Sequence, residues 1–368
     1  MGAGRRVTAR RSVRLRPRSA DAPTHFMKQT GYMFRMHRSV LLAALLVLVT
    51  ACAAPPPAST TPTAPPSAST TPTPTASPSP SPTVAATPIT LPSIAQLSAP
   101  SGTVVWALVA GTRLFRSSDR GDTWVERSLP TGVSNVEVSF TDDANGLLLS
   151  TGSPATECQT QTASIWKTTN GAASWQMIAS TGIPDAMCKR GLSSADPTHA
   201  FLTTYSPNAG SLIYRTADAG VSWTASAPLP IPPNLASHGA LFVSITERPR
   251  AFGSVVLVGG GAGQTKDVFR STDGGATFTY ASTVAAEGLV AYVTATRWLQ
   301  ILPPGSSMET TDGGASWHAF TTDYSQAAPI APDIVFGDGT VGYATVRGAI
   351  QRTVDGGAHW TTIKTPGT

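Results

Sequence analysis

Charge is missing from a long stretch of this chain, because no Asp, Glu, Lys or Arg lies between Arg38 and Arg113. Within that stretch, residues 52–90 consist mostly of Pro, Thr, Ser and Ala. Such a segment lacks the large apolar side chains that a folded core requires. It is therefore predicted to be an extended, solvated tether with polyproline character, reaching on the order of 100 Å.

The same region contains only a short apolar run, residues 39–51, which follows the basic Arg38 and ends in small residues before Cys52. Its length is poor for a membrane-spanning helix and typical of a signal-peptide core. The ending resembles the lipobox of bacterial lipoproteins, whose signal peptide is cut before a cysteine that is then lipidated. The resemblance implies a lipoprotein signal peptide at residues 36–51 and a lipid anchor on Cys52, facing periplasm or cell exterior. The alternative is an ordinary signal peptide with an incidental cysteine.

Residues 1–35 are rich in arginine and have no apolar periodicity. They precede a complete signal peptide, so they are predicted to be disordered, either as an extended leader or as the product of a start codon placed too early. Residues 1–51 hold ten Lys and Arg against one acid, which leaves the remainder with a net charge of −4. That balance argues against nucleic-acid binding.

Cysteine is also scarce, and beyond Cys52 only Cys158 and Cys188 remain. Two cysteines left over in an exported protein more often pair than stay free, so a disulfide is predicted. Neither cysteine has a histidine nearby or the spacing of a zinc site, and no metal or cofactor is expected.

What the sequence does have is one eight-residue pattern, Ser/Thr-x-Asp-x-Gly-x-Ser/Thr-Trp, in six approximate copies. The copies cover residues 117–124, 168–175, 216–223, 271–278, 310–317 and 353–360. Their third residues are Asp119, Asn170, Asp218, Asp273, Asp312 and Asp355, separated by 51, 48, 55, 39 and 43 residues. A period of roughly 40–50 residues is the size of one four-stranded propeller blade.

Each residue type in the pattern suits a tight hairpin between the third and fourth strands of a blade. The Asp accepts hydrogen bonds from nearby amides, the glycine supplies a positive φ, and the aromatic ring packs beneath the turn. The glycines are Gly121, Gly220, Gly275, Gly314 and Gly357, and the aromatic residues are Trp124, Trp175, Trp223, Phe278, Trp317 and Trp360. Copy two carries Asn170 and Ala172 instead of Asp and Gly, so a strained or differently shaped turn is expected there.

The pattern resembles the Asp-box, or BNR repeat, of sialidases, sortilin-type receptors and photosystem II assembly factors. The resemblance covers residues 95–364 and implies that the boxes lie on the rim, away from the face that binds ligand. The box carboxylates are therefore interpreted as turn-formers and not as acids, nucleophiles or calcium ligands. The predicted fold is an all-β propeller over residues 91–368. It has six blades, or seven if the 55-residue interval hides a degenerate one.

A propeller presents ligands to the loops that join strand two to strand three and strand four to the next blade. The unusual loops of this kind are residues 151–163, 180–194, 226–239, 259–266 and 321–332. Cys158 and Cys188 fall in the first two, on adjacent blades and the same predicted face. This placement favours their pairing. The glycine-rich 259–266 loop lacks the Gly-Lys-Ser/Thr order of a phosphate loop and is read as a flexible loop.

An enzyme is the less favoured hypothesis. Resemblance to sialidases implies an Arg-Ile-Pro motif, three converging arginines, a Tyr–Glu pair and an acid/base Asp, and Arg-Ile-Pro is absent. The basic residues that precede a box belong to the repeat and are not expected to converge: Arg116, Lys167, Arg215, Arg270 and Arg352. The remaining arginines considered have no matching context: Arg190, Arg248, Arg250, Arg297 and Arg347. The non-box acids of the loops form no recognisable pair for glycoside hydrolysis: Glu157, Asp185, Asp267 and Asp323.

The sequence therefore predicts a membrane-anchored, extracytoplasmic propeller without catalytic residues that binds a protein or a glycan. A divergent sialidase-like glycoside hydrolase is the first alternative. An assembly factor like those of photosystem II is the second.

Overall fold

The computed structural model describes residues 87–90, 95–155, 158–206, 210–245, 247–261, 265–285, 289–302, 305–324 and 333–368. Cys52, Glu157, the predicted segments 1–35 and 36–51, and nearly all of the tether lie outside the described residues. Their predicted roles therefore remain predictions.

The described residues form six four-stranded antiparallel sheets, each made of four consecutive strands. Blades one to three contain β1 Ala95–Ser98, β2 Val105–Val109, β3 Arg113–Ser117, β4 Val125–Arg127, β5 Val136–Phe140, β6 Gly146–Thr151, β7 Ala163–Thr168, β8 Gln176–Ile178, β9 Cys188–Ser194, β10 Ala200–Ser206, β11 Gly210–Thr216 and β12 Thr224–Ala225. Blades four to six contain β13 Arg250–Phe252, β14 Val255–Gly260, β15 Thr265–Ser271, β16 Thr279–Ala285, β17 Leu289–Tyr292, β18 Trp298–Ile301, β19 Met308–Thr310, β20 His318–Ala319, β21 Ile334–Phe336, β22 Gly342–Val346, β23 Ala349–Thr353 and β24 Thr361–Ile363.

This arrangement confirms the six-bladed propeller. The 55-residue interval between the third and fourth boxes holds no further blade in the described part of the chain. It is instead taken up by a long connection between β12 and β13, which includes the short helix α1 Pro233–Ala236.

The first strand of each sheet lies innermost, next to the first strands of the neighbouring blades. The turns joining strands one to two and three to four therefore share one side of the ring, here called the lower face. The connections from strand two to three and from blade to blade share the other side, here called the upper face.

The hydrophobic core is divided among the seams between blades. Side chains alternate across each strand, so every blade presents apolar residues to both neighbours. Six buried clusters result, one for each seam. In the seam between blades one and two, for example, Trp106 stacks on Phe140 with ring centroids 3.6 Å apart.

Blades six and one close the ring without exchanging a strand. The amide of Leu97 on β1 donates to Asp333 Oδ2 at 3.0 Å, and the amide of Ile89 donates to the carbonyl of Gly367 at 2.8 Å. Arg352 of blade six reaches Asp122 Oδ1 and the carbonyl of Arg120 in blade one, each at 2.7 Å. Polar contacts therefore join the first and last blades around a shared apolar cluster.

Candidate functional site

Each box is a closed hydrogen-bond network on the lower face. In the fifth copy, the Thr310 hydroxyl donates to Asp312 Oδ1 at 2.8 Å and accepts from the Gly314 amide at 2.9 Å. The Ser316 amide donates to Asp312 Oδ1 at 2.9 Å, and the Ser316 hydroxyl donates to Oδ2 at 2.6 Å. Both carboxylate oxygens are thus engaged within the turn. Copies one, three and four repeat this pattern, and His359 replaces the second hydroxyl in copy six. In copy two the last bond is reversed, because Asn170 Nδ2 donates to Ser174 Oγ at 2.8 Å.

The turn needs two successive residues with positive φ, whereas the sequence indicated only one. The fourth residue of each copy also adopts positive φ, including Arg120 at 65° and Ala219 at 58°. In copy two, Ala172 takes φ 59° and its amide still donates to Thr168 Oγ1 at 3.0 Å. Of the two expectations for this copy, a strained turn or a differently shaped one, the structure shows the strained turn: the hydrogen bonds are kept, and an alanine adopts the left-handed conformation. Ala172 is buried in the core, and that packing offsets the roughly 1 kcal/mol strain of a left-handed alanine.

Every box turn also binds the turn between strands one and two of its own blade. The amide of the fourth box residue donates to a carbonyl there, at 2.8–3.0 Å in all six blades. The donors are Arg120, Gly171, Ala219, Gly274, Gly313 and Gly356. Three of the partner turns are themselves closed by an Asp that accepts two amides: Asp142, Asp196 and Asp338. These contacts tie the two hairpins of a blade together, which is a structural role.

The aromatic residue of the box is less uniformly buried than predicted. Trp223, Phe278 and Trp360 are buried, but Trp124, Trp175 and Trp317 remain partly exposed. Trp175 and Trp317 instead use the indole N–H, donating to the carbonyl of Ser128 and to Ser282 Oγ at 2.8 and 3.1 Å.

The hydrogen bonds keep the box carboxylates ionised. The hydroxyl and amide of Ser316 lower the pKa of Asp312 to about 2, and Ser222 does the same for Asp218. Thr123 lowers the pKa of Asp119 to about 2, and that of Asp273 lies lower still. A carboxyl group with so low a pKa is a poor general acid at neutral pH.

A pH-dependent loss of stability should follow from these shifts. Each box pKa is depressed below its unfolded value of about 3.9, so its stabilising effect is present above pH ~4 and is lost between pH ~4 and ~2. We expect Asp312→Asn, which copies the natural Asn170, to lower Tm slightly at pH 7 and to reduce the Tm loss between pH 4 and 2. Asp312→Ala should lower Tm at every pH. Thermal unfolding across this range checks both, and an unchanged acid profile in Asp312→Asn would contradict the assignment.

Two of the basic residues that precede the boxes, Arg116 and Arg352, bridge seams on the lower face. Arg116 of blade one pairs with Asp143 of blade two at 2.6 Å. Blade five has Glu309 at this position, and Glu309 holds Arg297 at 2.5 Å. Arg297 then donates to the carbonyls of Gly339 and Gly356 in blade six. A guanidinium group therefore still bridges this seam, although the residue that precedes the box is acidic in blade five and basic in the other blades.

The predicted disulfide is confirmed on the upper face. Cys158 and Cys188 are bonded, with their Cα atoms 4.8 Å apart. Next to the bond, the buried Lys189 donates from Nζ to the carbonyls of Gln161 and Asp185. Burial lowers the pKa of Lys189. The two loops that approach each other here belong to blades two and three.

Three arginines excluded at the sequence level converge on the central channel. Arg190 is on β9, Arg250 begins β13, and Arg248 lies two residues before it. Arg248 Nη1 reaches across the ring to the carbonyl of Leu97 at 3.5 Å. Arg250 Nη2 donates to the carbonyl of Phe336 at 2.8 Å, and Arg190 Nη2 donates to that of Ile245 at 2.6 Å. The sequence analysis found no matching sialidase-like context for these arginines, and their shared position at the channel was not predicted.

The arginines contact carbonyls of the inner blade edges, while other side chains accept from the amides. Gln96 Oε1 accepts from Val138 at 2.8 Å, Glu137 Oε2 accepts from Leu192 at 2.8 Å, and Asp333 accepts from Leu97. An innermost strand has one unpaired edge, so these side chains satisfy backbone groups that would otherwise lack partners. Among the ion pairs of the described residues, none joins Arg190, Arg248 or Arg250 to a carboxylate.

A Tyr–Glu pair is also present, but it lies in a seam. The hydroxyl of Tyr292 donates to Glu247 Oε2 at 3.3 Å, and Lys266 Nζ lies 2.5 Å from Glu247 Oε1. Tyr292 is buried between blades four and five, and burial raises its pKa well above the ordinary value. A buried phenol with a raised pKa is not poised to act as a nucleophile.

The other non-box acids lie apart. Asp323 Oδ1 accepts from the Trp360 amide at 2.8 Å, and Asp185 is exposed beside the disulfide. Asp267 is buried in blade four. Over the described ranges, no group of three or more His, Cys, Asp and Glu side chains could hold a metal ion. No helix in the part of the chain that the structure describes is long and apolar enough to cross a membrane.

The sheets and their closure define a six-bladed β-propeller. A family model described as the DUF6242 beta propeller domain matches residues 83–279, more than half of the chain. The chain belongs to this family.

Solved structures with a similar fold include YCF48 bound to D1 peptide, at 17% identity, a TM-score of 0.47, and coverage of 75% of this chain and 82% of that chain. YCF48 from Cyanidioschyzon merolae is 19% identical, with a TM-score of 0.47 and coverage of 75% and 86%. The GH74 enzyme of Niastella koreensis is 18% identical, with a TM-score of 0.40 and coverage of 73% and 36%. No curated protein matches the chain.

Proposed function

We propose that this chain is a lipid-anchored, extracytoplasmic propeller that binds an acidic protein or glycan at the upper end of its channel and does not catalyse a reaction. The anchor would be Cys52, and the tether of residues 52–90 would hold the propeller away from the membrane. The observation that carries the binding role is the convergence of Arg190, Arg248 and Arg250, none of which forms an ion pair with a carboxylate of the described residues.

The charges at the channel favour an anionic ligand. Arg190 is exposed, and each guanidinium has five N–H donors, of which the described contacts use few. Carboxylates are bound by arginine through strong, charge-assisted hydrogen bonds. The nearby Glu137 and Asp333 accept backbone amides, and among the ion pairs of the described residues neither is paired with one of these arginines.

The hydrolase alternative receives less support from the same residues. Glycoside hydrolysis needs two carboxyl groups that face the scissile bond. The carboxylates of Glu137 and Asp333 accept hydrogen bonds from backbone amides of the inner strands, and Tyr292 is buried between blades four and five. The three arginines are instead suited to a site that binds an anionic ligand.

The proposal is tested on the full chain with polyglutamate and polygalacturonate as acidic probes and dextran as the neutral probe. Arg190→Gln should weaken binding of the acidic probes by roughly tenfold, since a hydrogen bond to a charged group contributes about 1.5–3 kcal/mol. Lys167→Gln removes the same charge from the lower face and should leave binding unchanged.

Equal weakening by Lys167→Gln would contradict a site at the channel, and turnover of a fluorogenic glycoside would contradict a non-catalytic role. Anchoring is read from the same preparations. The unaltered chain should stay with membranes, whereas Cys52→Ser should become soluble.

A further inference from the structure

Two arginines on the lower face have no acidic partner among the described residues. Arg215 of blade three and Arg270 of blade four each precede a box and reach the next blade. Arg270 Nη1 lies 3.4 Å from the position of a Cβ atom built on Gly313, and Arg215 Cδ lies 3.9 Å from one built on Gly275. In both arginines Nε is buried without a hydrogen-bond partner in the described part of the chain. Neither side chain takes part in an ion pair of the described residues.

At two other seams of the same face, the equivalent arginine is paired with a carboxylate of the chain itself. Arg116 donates from Nε to Asp143 Oδ1 at 3.2 Å, and its Nη2 lies 2.6 Å from Oδ2. Asp143 immediately precedes the residue whose carbonyl accepts from the box amide of blade two. Arg352 instead donates to Asp122, the sixth residue of box one, at 2.7 Å. The repeat thus has two positions from which a carboxylate reaches this guanidinium.

Both positions hold small, uncharged residues at the seams of the two unpaired arginines. They are Ala295 and Ala315 at the seam of blades four and five, and Gly253 and Ala276 at the seam of blades three and four. The seam of blades two and three differs, because Asp196 lines the same small cavity as Lys167. The chain therefore supplies no carboxylate from these positions at two neighbouring seams.

A carboxylate from outside the chain suits these seams. A guanidinium group keeps its charge and binds a carboxylate through two parallel, charge-assisted hydrogen bonds. A buried N–H without a partner is unfavourable, so a ligand that accepts from Nε gains binding free energy. Arg215 and Arg270 are both partly exposed and lie on neighbouring blades. Carboxylates carried on one protein surface can therefore reach both of them together.

We propose that the lower face of blades three to five binds acidic side chains of a partner protein, with one carboxylate on Arg215 and one on Arg270. This surface lies on the opposite face from the upper end of the arginine channel and does not depend on it. Each seam offers a single arginine, so its affinity for one carboxylate is lower than that of the three-arginine channel.

The test follows the NMR signals of the arginine Nε–H groups on the full chain. Glutarate serves as the free carboxylate probe and polyglutamate as the polypeptide probe. Glutarate should shift the signals of Arg215 and Arg270, which Arg215→Gln and Arg270→Gln assign. Half-saturation is expected at millimolar glutarate, because one partly exposed ion pair contributes little binding free energy. Polyglutamate should produce the same shifts at a carboxylate concentration at least roughly tenfold lower, since its side chains reach both seams at once.

Ala295→Asp introduces a carboxylate at the position that an aspartate occupies in blade two. It should shift the Arg270 signal without any probe and abolish the response of that signal to glutarate, whereas Arg215 should still respond. Val354→Asp is the matched control, because it adds the same charge at an exposed position of blade six on the same face. Both arginines should respond in Val354→Asp as they do in the unaltered chain.

The proposal is overturned if neither signal responds to glutarate, or if Ala295→Asp and the unaltered chain respond alike. Polyglutamate that binds no more tightly per carboxylate than glutarate would overturn the assignment to a protein surface. Ala315→Asp uses the second position and provides the same test if Ala295→Asp fails to fold. Arg190→Gln should leave both responses unchanged, so a failure of this proposal and a failure of the channel site are distinguishable.

Discussion

Gly337→Ala should lower the stability of the propeller by roughly 3 kcal/mol or more, an overpacking effect at the upper end of the usual range. A Cβ atom on Gly337 would lie 2.0 Å from the carbonyl oxygen of Ser101 and 2.4 Å from its carbonyl carbon. Gly337 belongs to blade six and Ser101 to blade one, so the clash would fall where the ring closes. Main-chain atoms cannot rotate away as a flexible side chain can, and one of the two blades would have to move.

Gly339→Ala is the matched control, two residues away in the same turn. Nothing lies within 4 Å of a Cβ atom at Gly339, so little change is expected. Thermal and urea unfolding of both variants make the measurement, and a shift of about 6–12 °C in Tm corresponds to 3 kcal/mol in a domain of this size. Equal Tm values for the two variants would contradict the close approach of blades six and one.

The second large effect concerns the disulfide. Replacing both Cys158 and Cys188 with Ser should destabilise the protein by about 2–4 kcal/mol, because the bond restricts the unfolded chain over a 30-residue separation. Hydrogen bonds also join the two loops beside the disulfide. The Gln161 amide donates to the carbonyl of Asp185 at 2.8 Å, and the Lys189 amide donates to Gln161 Oε1 at 2.7 Å. Without the bond, these contacts have to hold the two loops together alone.

Thermal unfolding with and without reductant checks this prediction. The unaltered chain should lose stability on reduction, whereas the double Ser variant should not respond to the reductant. Hydrogen exchange should become faster in the loops around Gln161 and Lys189 and remain unchanged in blade five. An unaltered chain whose Tm is insensitive to full reduction would show that the bond does not stabilise the fold.

The architecture was predictable because its determinants are local and repeated. The hydroxyl, the carboxylate and the glycine of a box lie within five residues of each other, and their hydrogen bonds close within the same turn. The spacing of the copies then gives the blade size.

The channel was not predictable, because its residues meet only when the ring closes. Arg248 contacts Leu97 across 151 residues, and Leu97 contacts Asp333 across 236 residues. Neither pair carries a sequence pattern. The turn-closing residues Asp142, Asp196 and Asp338 were missed for a different reason, since an isolated Asp before a turn is common in any loop. Only their shared position before the second strand of a blade could have indicated them.

The division of the core among six seams affects how the protein unfolds. Each blade contacts two neighbours, so the chain behaves as a repeat array whose two ends meet. When five seams have formed, the end blades are already held close together, and the sixth forms at a high effective concentration. Loss of the seam between blades six and one would turn the ring into an open array with two exposed apolar ends. Because blades one and six are the two ends of the array and no blade-to-blade connection joins them, the first detectable opening should occur at their seam and should precede the loss of any single sheet.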